Sequence, residues 1–285
     1  MYYDFSRKIN VKAKEYILAL GSKTYIMGIL NVTPDSFSDG GKFTDIEKAI
    51  SHAKEMLRDG ADIIDIGGES TRPGHEEISP EEEINRVLPV VEKLIKEINV
   101  PISVDTSKAI VAKKVLEVGA HMINDVWGLQ KDPQLANIIA EYNVPVVMMH
   151  NQIGTEYDGD IMENIKVFLK KSIAIALHAG IKKENIILDP GIGFGKTPEQ
   201  NIHVLSRLHE LNDLGYPILL GTSRKSMIGK ILDLPANERV EGTVATSVMG
   251  VMQGMDILRV HDVKENLRAV KVTDAIVRGT TPWIK

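Results

Sequence analysis

The chain has 285 residues, with 34 lysines and arginines against 39 aspartates and glutamates, a net charge of −5. Hydrophobic residues make up 43% and charged residues 26%, which is globular usage and excludes a largely disordered chain. Cysteine is absent, which excludes disulfides, a thiolate nucleophile, zinc–thiolate sites and iron–sulfur clusters. The acidic balance argues against a nucleic-acid partner, which needs a basic surface. No apolar run approaches the roughly 18 residues of a membrane span. The N-terminal MYYDFSRKINVKAKEY lacks the uninterrupted apolar core of a secretory signal. A cytoplasmic protein, with neither nucleic acid nor membrane as partner, is expected.

In chain order, residues 1–23 precede the first strand-like run and read as a short hairpin or cap. Eight short runs rich in Val and Ile follow: TYIMGILNV from Thr24, DIIDIGGES from Asp62, PISVDTS from Pro101, HMINDVWG from His121, VPVVMMH from Val144, NIILDPGIG from Asn185, YPILLGTS from Tyr216 and DILRVHDV from Asp256. Bounded by Gly, Pro and Asp, they read as buried parallel strands. The stretches between them read as helices. Thr44 with Glu47, Ser79 with Glu82 and Thr197 with Gln200 have the capping-box spacing, and Asp262 with Glu265 is a looser version. Ile161, Ile165, Phe168, Leu169, Ile173 and Ala176 form an apolar stripe at helical spacing. Eight alternations predict a (β/α)8 barrel, an α/β TIM barrel with a short N-terminal cap, in one domain over 1–285. A doubly wound sheet would carry a G-x-G-x-x-G turn after its first strand, where this chain has NVTPDSFSDGG.

In such a barrel the active site lies at the C-terminal strand ends. There the chain supplies Asn31, then Asp35 and Phe37 in a long loop, and Thr71, Arg72 and Pro73 after the second run. Beyond these come Asp105, Asn124, Met148 with His150, Asp189 with Phe194 after it, Ser223 with Lys225, and Arg259 with His261. Asp105, Asn124 and Asp189 suit a flat ligand with adjacent N–H donors, because a carboxylate accepts two parallel N–H bonds. Arg72, Lys225, Arg259 and His261 form a cationic set on an acidic chain and suit a phosphate or pyrophosphate. A guanidinium also stacks on flat rings. Any one Asp here is equally readable as a helix cap, Met148 as core, and His150 as a structural histidine. The segment GIGFGKT is not a P-loop, because the Walker pattern requires Gly where Pro190 stands.

At these residues the chain resembles the dihydropteroate synthase family. The resemblance rests on GILNVTPDSFSDGG (28–41), DIGGESTRPG (65–74), ISVDTS (102–107), INDVWG (123–128), ILDPGIGFGKT (187–197), LLGTSRKSMIG (219–229) and RVHDV (259–263), seven motifs in order at barrel spacing. It implies a transferase of folate biosynthesis and sulfonamide target. The methylene carbon of 6-hydroxymethyl-7,8-dihydropterin pyrophosphate passes to the amine of 4-aminobenzoate, giving 7,8-dihydropteroate and pyrophosphate. It further implies that Asp105, Asn124, Asp189 and Lys225, with Met148, hold the pterin, and that Arg259 stacks over the ring and reaches phosphate. Asn31, Arg72 and His261 would hold pyrophosphate, with Mg²⁺ on Asn31. Thr71, Pro73, Phe194 and Ser223 would shape the aminobenzoate site, with Asp35 and Phe37 closing from the first loop. A homodimer is implied by the family alone.

The mechanism expected is dissociative, because an aniline-type nitrogen is a weak nucleophile. Pyrophosphate leaves first, helped by the cationic set and Mg²⁺, and Asp105, Asp189, Lys225, Arg259 and His261 carry the catalysis. Loops 32–43 and 70–79 are candidates for a lid that keeps water out. A Schiff-base aldolase on Lys225 is the first alternative, disfavoured by Arg224 and anionic ligands beside that lysine. A non-catalytic pterin-binding barrel, or a methyltetrahydrofolate methyltransferase relative, is the second. This second alternative has no need of the motifs around Arg72, Ser223 and His261.

Overall fold

The computed structural model describes residue 5 and residues 7–33, 42–70 and 77–279. Strands β1 (Ile9–Ala13) and β2 (Tyr16–Leu20) pair antiparallel as a hairpin, as the N-terminal reading expects. Eight strands follow: β3 (Tyr25–Asn31), β4 (Ile63–Gly67), β5 (Ile102–Asp105), β6 (Met122–Asp125), β7 (Val146–Met149), β8 (Ile186–Asp189), β9 (Leu219–Leu220) and β10 (Ile257–Val260). Each falls inside one of the eight runs. Helices α1 (Lys42–Arg58), α2 (Pro80–Glu97), α3 (Ala109–Glu117), α4 (Leu135–Tyr142), α5 (Ile161–His178) and α6 (Pro198–Ser206) follow β3 to β8 in turn. Helices α7 (Ser226–Leu232) and α8 (Val240–Met252) follow β9, and α9 (Val263–Arg278) follows β10.

The eight strands are all parallel, in the order β8-β7-β6-β5-β4-β3-β10-β9. A parallel bridge from Leu188 to Ile218, the residue before β9, brings the two edges together. The sheet thus closes on itself and has the expected (β/α)8 architecture.

Helix starts follow the local signals in two cases. Ser79 accepts from the Glu82 amide, with Pro80 in the first turn of α2. Thr197 and Gln200 form a full capping box on α6. The other two expectations fail. Helix α1 begins at Lys42, so Thr44 lies inside it rather than before it. Asp262 stands at the head of α9 but makes no side-chain cap bond there, because its carboxylate takes the Arg224 guanidinium, with Nε to Oδ2 at 3.0 Å.

Strand residues alternate between two cores. Outward side chains such as Ile64, Ile66, Val104, Ile123, Met148 and Leu188 pack under the helices. Inward side chains Met27, Ile63, Met122, Val147, Ile187, Leu219 and Ile257 fill the N-terminal part of the barrel. Val11, Leu18 and Leu20 of the hairpin join that inner cluster and close its end. Further up, the inward positions turn polar: Asp65, Ser103, Asp105, Asn124, Asp189 and Arg259. Among the described residues, no helix is long and apolar enough to cross a membrane.

Candidate active site

The floor of the site is built by those inward polar positions. Registers pair Gly67 with Asp105, Asp105 with Asn124 and Met149 with Asp189, so these residues ring the C-terminal mouth. Arg259 on β10 crosses the floor. Its Nε donates to Asp65 Oδ2 at 2.6 Å and its Nη2 to Asp105 Oδ2 at 2.9 Å. Asn124 Nδ2 donates to the same Asp65 oxygen at 3.2 Å. The second oxygens, Asp65 Oδ1 and Asp105 Oδ1, are buried with no hydrogen-bond partner among the described residues. A buried acceptor without a donor is costly, and a ligand N–H would relieve it.

Two ring positions are glycines, and that makes room. A Cβ on Gly67 would lie 3.7 Å from both Asn31 Oδ1 and Asp105 Cβ; on Gly221 it would lie 3.9 Å from Arg259 Cβ and 4.0 Å from Asp189 Oδ2. Asp189 itself is buried, and its Oδ1 accepts from the Gly191 amide at 2.7 Å. Burial pushes its pKa up to about 6, against the pull of that amide and of Lys225. Asp105 is also raised by burial, against the pull of Arg259. Burial works to lower the Arg259 pKa, but Asp65 and Asp105 outweigh it and leave it raised.

The rim carries the other groups. Asn31 ends β3 and is half-buried. Ser223 and His261 hold each other twice: Oγ lies 2.9 Å from Nδ1, and the His261 amide donates to Oγ at 3.1 Å. Lys225 Nζ sits 4.0 Å from the centre of the Phe194 ring, within cation–π range. Arg224, read from sequence as flanking Lys225, is committed to Asp262. Beside the floor opens a cavity of about 480 Å³, lined by Asp105, Thr106, Lys108, Trp127, Phe194 and Lys196 among others. At its edge Lys108 Nζ reaches Glu69 and buried Glu83, each at 2.6 Å, and Glu69 Oε1 accepts from the Ile78 amide at 3.1 Å.

The structure therefore gathers Asn31, Asp105, Asn124, Asp189, Phe194, Ser223, Lys225, Arg259 and His261 at one mouth. Asp35, Phe37, Thr71, Arg72 and Pro73 lie outside the described residues, as does most of both candidate lid loops. Met148 is corrected. It is wholly buried among the outward residues, packed under the helices, and it pairs in register with Leu188. Met149, one residue on, pairs with Asp189 and faces the mouth. Asp65 and Lys196 went unread. Asp65 sits inside an apolar run, and its signal was its place two residues before Gly67 on the inward face. His150 is buried against Phe168 and Lys196 and does not face the floor as a ligand group.

Comparison with known proteins agrees with this geometry. The model of the pterin binding enzyme family matches residues 27–261, which span all eight barrel strands but the first two residues of β3. The chain belongs to that family. It is 58% identical to the dihydropteroate synthase of Clostridium beijerinckii, over 95% of this chain and 100% of that one. A solved Clostridium difficile dihydropteroate synthase, crystallised in the presence of pteroic acid, is 61% identical and superposes with a TM-score of 0.90, covering 91% of this chain and 98% of that one. A Xanthomonas albilineans dihydropteroate synthase solved with 4-aminobenzoic acid is 40% identical, with a TM-score of 0.91 over 97% of this chain and 100% of that one. Within its family the chain belongs to the dihydropteroate synthases, transferases of folate synthesis.

Proposed function

We propose that this chain joins the methylene carbon of 6-hydroxymethyl-7,8-dihydropterin pyrophosphate to the nitrogen of 4-aminobenzoate, forming 7,8-dihydropteroate. The carbon–oxygen bond to pyrophosphate breaks, a carbon–nitrogen bond forms, and the amine gives up one proton. The observation that carries the reading is a buried, acceptor-rich floor beneath a cationic rim, with an Asp105 oxygen that has no partner among the described residues. Asp105, Asn124 and Asp189 meet the amino-pyrimidinone edge, Lys225 meets the carbonyl side, and Met149 packs on the ring in the place given to Met148. The entering ring competes with Arg259 for Asp105. The displaced guanidinium then lies over the ring face and reaches toward the phosphates, where Asn31, Arg72 and His261 join it. Phe194 and Ser223 wall the aminobenzoate site, with Thr71, Pro73, Asp35 and Phe37.

The order is pyrophosphate first. The amine is too weak a nucleophile to displace it, whereas the dihydropterin ring delocalises the cation left behind. Asp105 and Asp189 stabilise that cation, and Lys225, Arg259 and His261 stabilise the departing oxygens. Mg²⁺ belongs to the reading. Asn31 offers one amide oxygen, and no group of three or more His, Asp or Glu among the described residues could form a cage. That donor set fits an ion that keeps its waters and is shared with substrate phosphates. When bound, Mg²⁺ would neutralise charge on the pyrophosphate oxygens.

The test is pyrophosphate release from the dihydropterin pyrophosphate with Mg²⁺, with and without 4-aminobenzoate. Release that depends on both, with dihydropteroate formed, is expected. Pterin binding without aminobenzoate-dependent release would leave a binding barrel instead. We also read the chain as a cytoplasmic homodimer. Ile231, Met249, Met252, Val272 and Ile276 expose large apolar surface on α7, α8 and α9. A monomer mass by sedimentation at micromolar concentration would sink that assignment.

A further inference from the structure

The loop between β8 and α6 carries a group that the substrate assignments leave unused. GIGFGKT ends in Lys196 and Thr197, and a P-loop lysine there would reach for phosphate. Lys196 turns inward instead and is only 8% exposed. Its Nζ lies 2.9 Å from the Gly191 carbonyl oxygen, 3.0 Å from the Phe194 carbonyl oxygen and 2.9 Å from His150 Nδ1. An ammonium has three N–H donors and no acceptor. Three acceptors around Nζ match its charged form, and in that form His150 Nδ1 accepts with the ring proton on Nε2. Burial, and then Lys196, lower the His150 pKa to about 3, so the ring stays neutral and able to accept. Burial lowers the Lys196 pKa to about 7, against the pull of Asp189.

The loop is thus wrapped around its own lysine. Gly191, Gly193 and Gly195 take φ of +68°, +84° and +55°, the left-handed turns this path requires. A Cβ on Gly191 would lie 1.9 Å from the His150 carbonyl oxygen. Outside contacts lock the same loop. The Gly193 amide donates to Asn201 Oδ1 at 2.6 Å, and the Tyr157 hydroxyl donates to the Gly195 carbonyl at 2.8 Å. Phe194 sits between these anchors, its carbonyl on Lys196 and its ring under Lys225.

We propose that Lys196 is a positioning residue: seated on His150, it holds the 191–195 loop from within and so sets the Phe194 ring as a wall of the aminobenzoate site. The proposal rests on the reading of Phe194 as that wall. In this role Lys196 acts on aminobenzoate through the loop it seats, while its charge also favours the ionised form of Asp189. Its signature is a split in kinetics rather than a general loss.

The test compares Lys196→Met, Phe194→Ala, His150→Leu and His150→Gln as full-length enzyme. Steady-state kinetics and fluorescence titration of the pterin are the readouts. At pH 8, above the Asp189 titration, Lys196→Met is expected to raise the KM for 4-aminobenzoate about tenfold or more, in the direction of Phe194→Ala, with kcat and pterin affinity within about threefold. His150→Leu removes the acceptor and moves the same KM; His150→Gln restores an acceptor and returns it most of the way. An unchanged aminobenzoate KM in Lys196→Met, beside a raised one in Phe194→Ala, overturns the proposal and leaves the wall reading standing. No change in either variant overturns the wall reading and the proposal with it. Should Lys196→Met fail to fold, the histidine pair decides, and equal KM values for Leu and Gln at 150 overturn the proposal.

Discussion

Asp189 shows how the site sets function against stability in one side chain. Its carboxyl titrates near 3.8 when unfolded and at about 6 in the folded chain, because burial disfavours the charge. Between those values the folded state binds more protons than the unfolded one. Stability therefore falls as pH rises through this window, and the cost is fully present above about pH 6. The ligand needs the charged form, so pterin affinity is expected to fall as pH drops below about 6. Asp189→Asn should flatten the denaturation-midpoint curve between pH 4 and 6 and lower kcat/KM more than about tenfold, or about 1.4 kcal/mol. Turnover that survives within that factor removes Asp189 from catalysis. Arg259 calls for a different change. Lysine keeps the charge but has no planar fork to bond Asp65 and Asp105 together or to stack on a ring. Arg259→Lys should weaken pterin pyrophosphate binding by isothermal titration, and unaltered kinetics would count against the assignment.

At the scale of elements, all eight barrel strands were legible, because parallel strands covered on both faces are continuous apolar runs between turn residues. The same property hid which residues face inward. Val146, Val147, Met148 and Met149 are all buried and apolar, so no period of two marks the two faces. For that reason the sequence points to Met148 where the structure places Met149. The polar inward residues of neighbouring strands, Asn124 and Asp189, fix the register once pairing is known. Lys196 stayed unread because nothing in GIGFGKT says that its lysine folds back on its own loop. Asp262 was misread because an Asp before a helix is a cap by propensity, and only the fold brings Arg224 to it. Glycine at position 221 is an element-level device, since it follows β9 directly and leaves an open place in the floor. Its φ is not in the left-handed region and an added Cβ meets only ordinary contacts near 4 Å. Gly221→Ala should therefore keep its melting temperature while raising the pterin KM about tenfold, as one methyl in a tight pocket can. Lost folding, rather than lost affinity, would show that the glycine serves the backbone.

Over the whole molecule, stability and chemistry occupy opposite ends of one barrel. The N-terminal end is filled by apolar inward residues and sealed by the hairpin, through Val11, Leu18 and Leu20. The Tyr25 hydroxyl accepts the Ala19 amide at 2.9 Å and ties the hairpin to the first barrel strand. The C-terminal end trades that filling for carboxylates, an arginine and two glycines, each of which forgoes apolar burial. The plug must supply what the floor gives up. Leu20 is 1% exposed within the inner cluster, so Leu20→Ala leaves a cavity rather than a solvated surface. The expected cost is about 2–5 kcal/mol, or roughly 3–8 °C in melting temperature for a domain of this size. The polar floor lies nearer the far mouth and shares no side chain with the plug, so kcat and both KM values at 15 °C should stay within about twofold, the additivity expected of separate sites. Calorimetry and kinetics on the same preparation decide it. A matched loss of activity at a temperature where the variant is fully folded would mean that the plug shapes the floor, and that the two ends of the barrel are one mechanical unit.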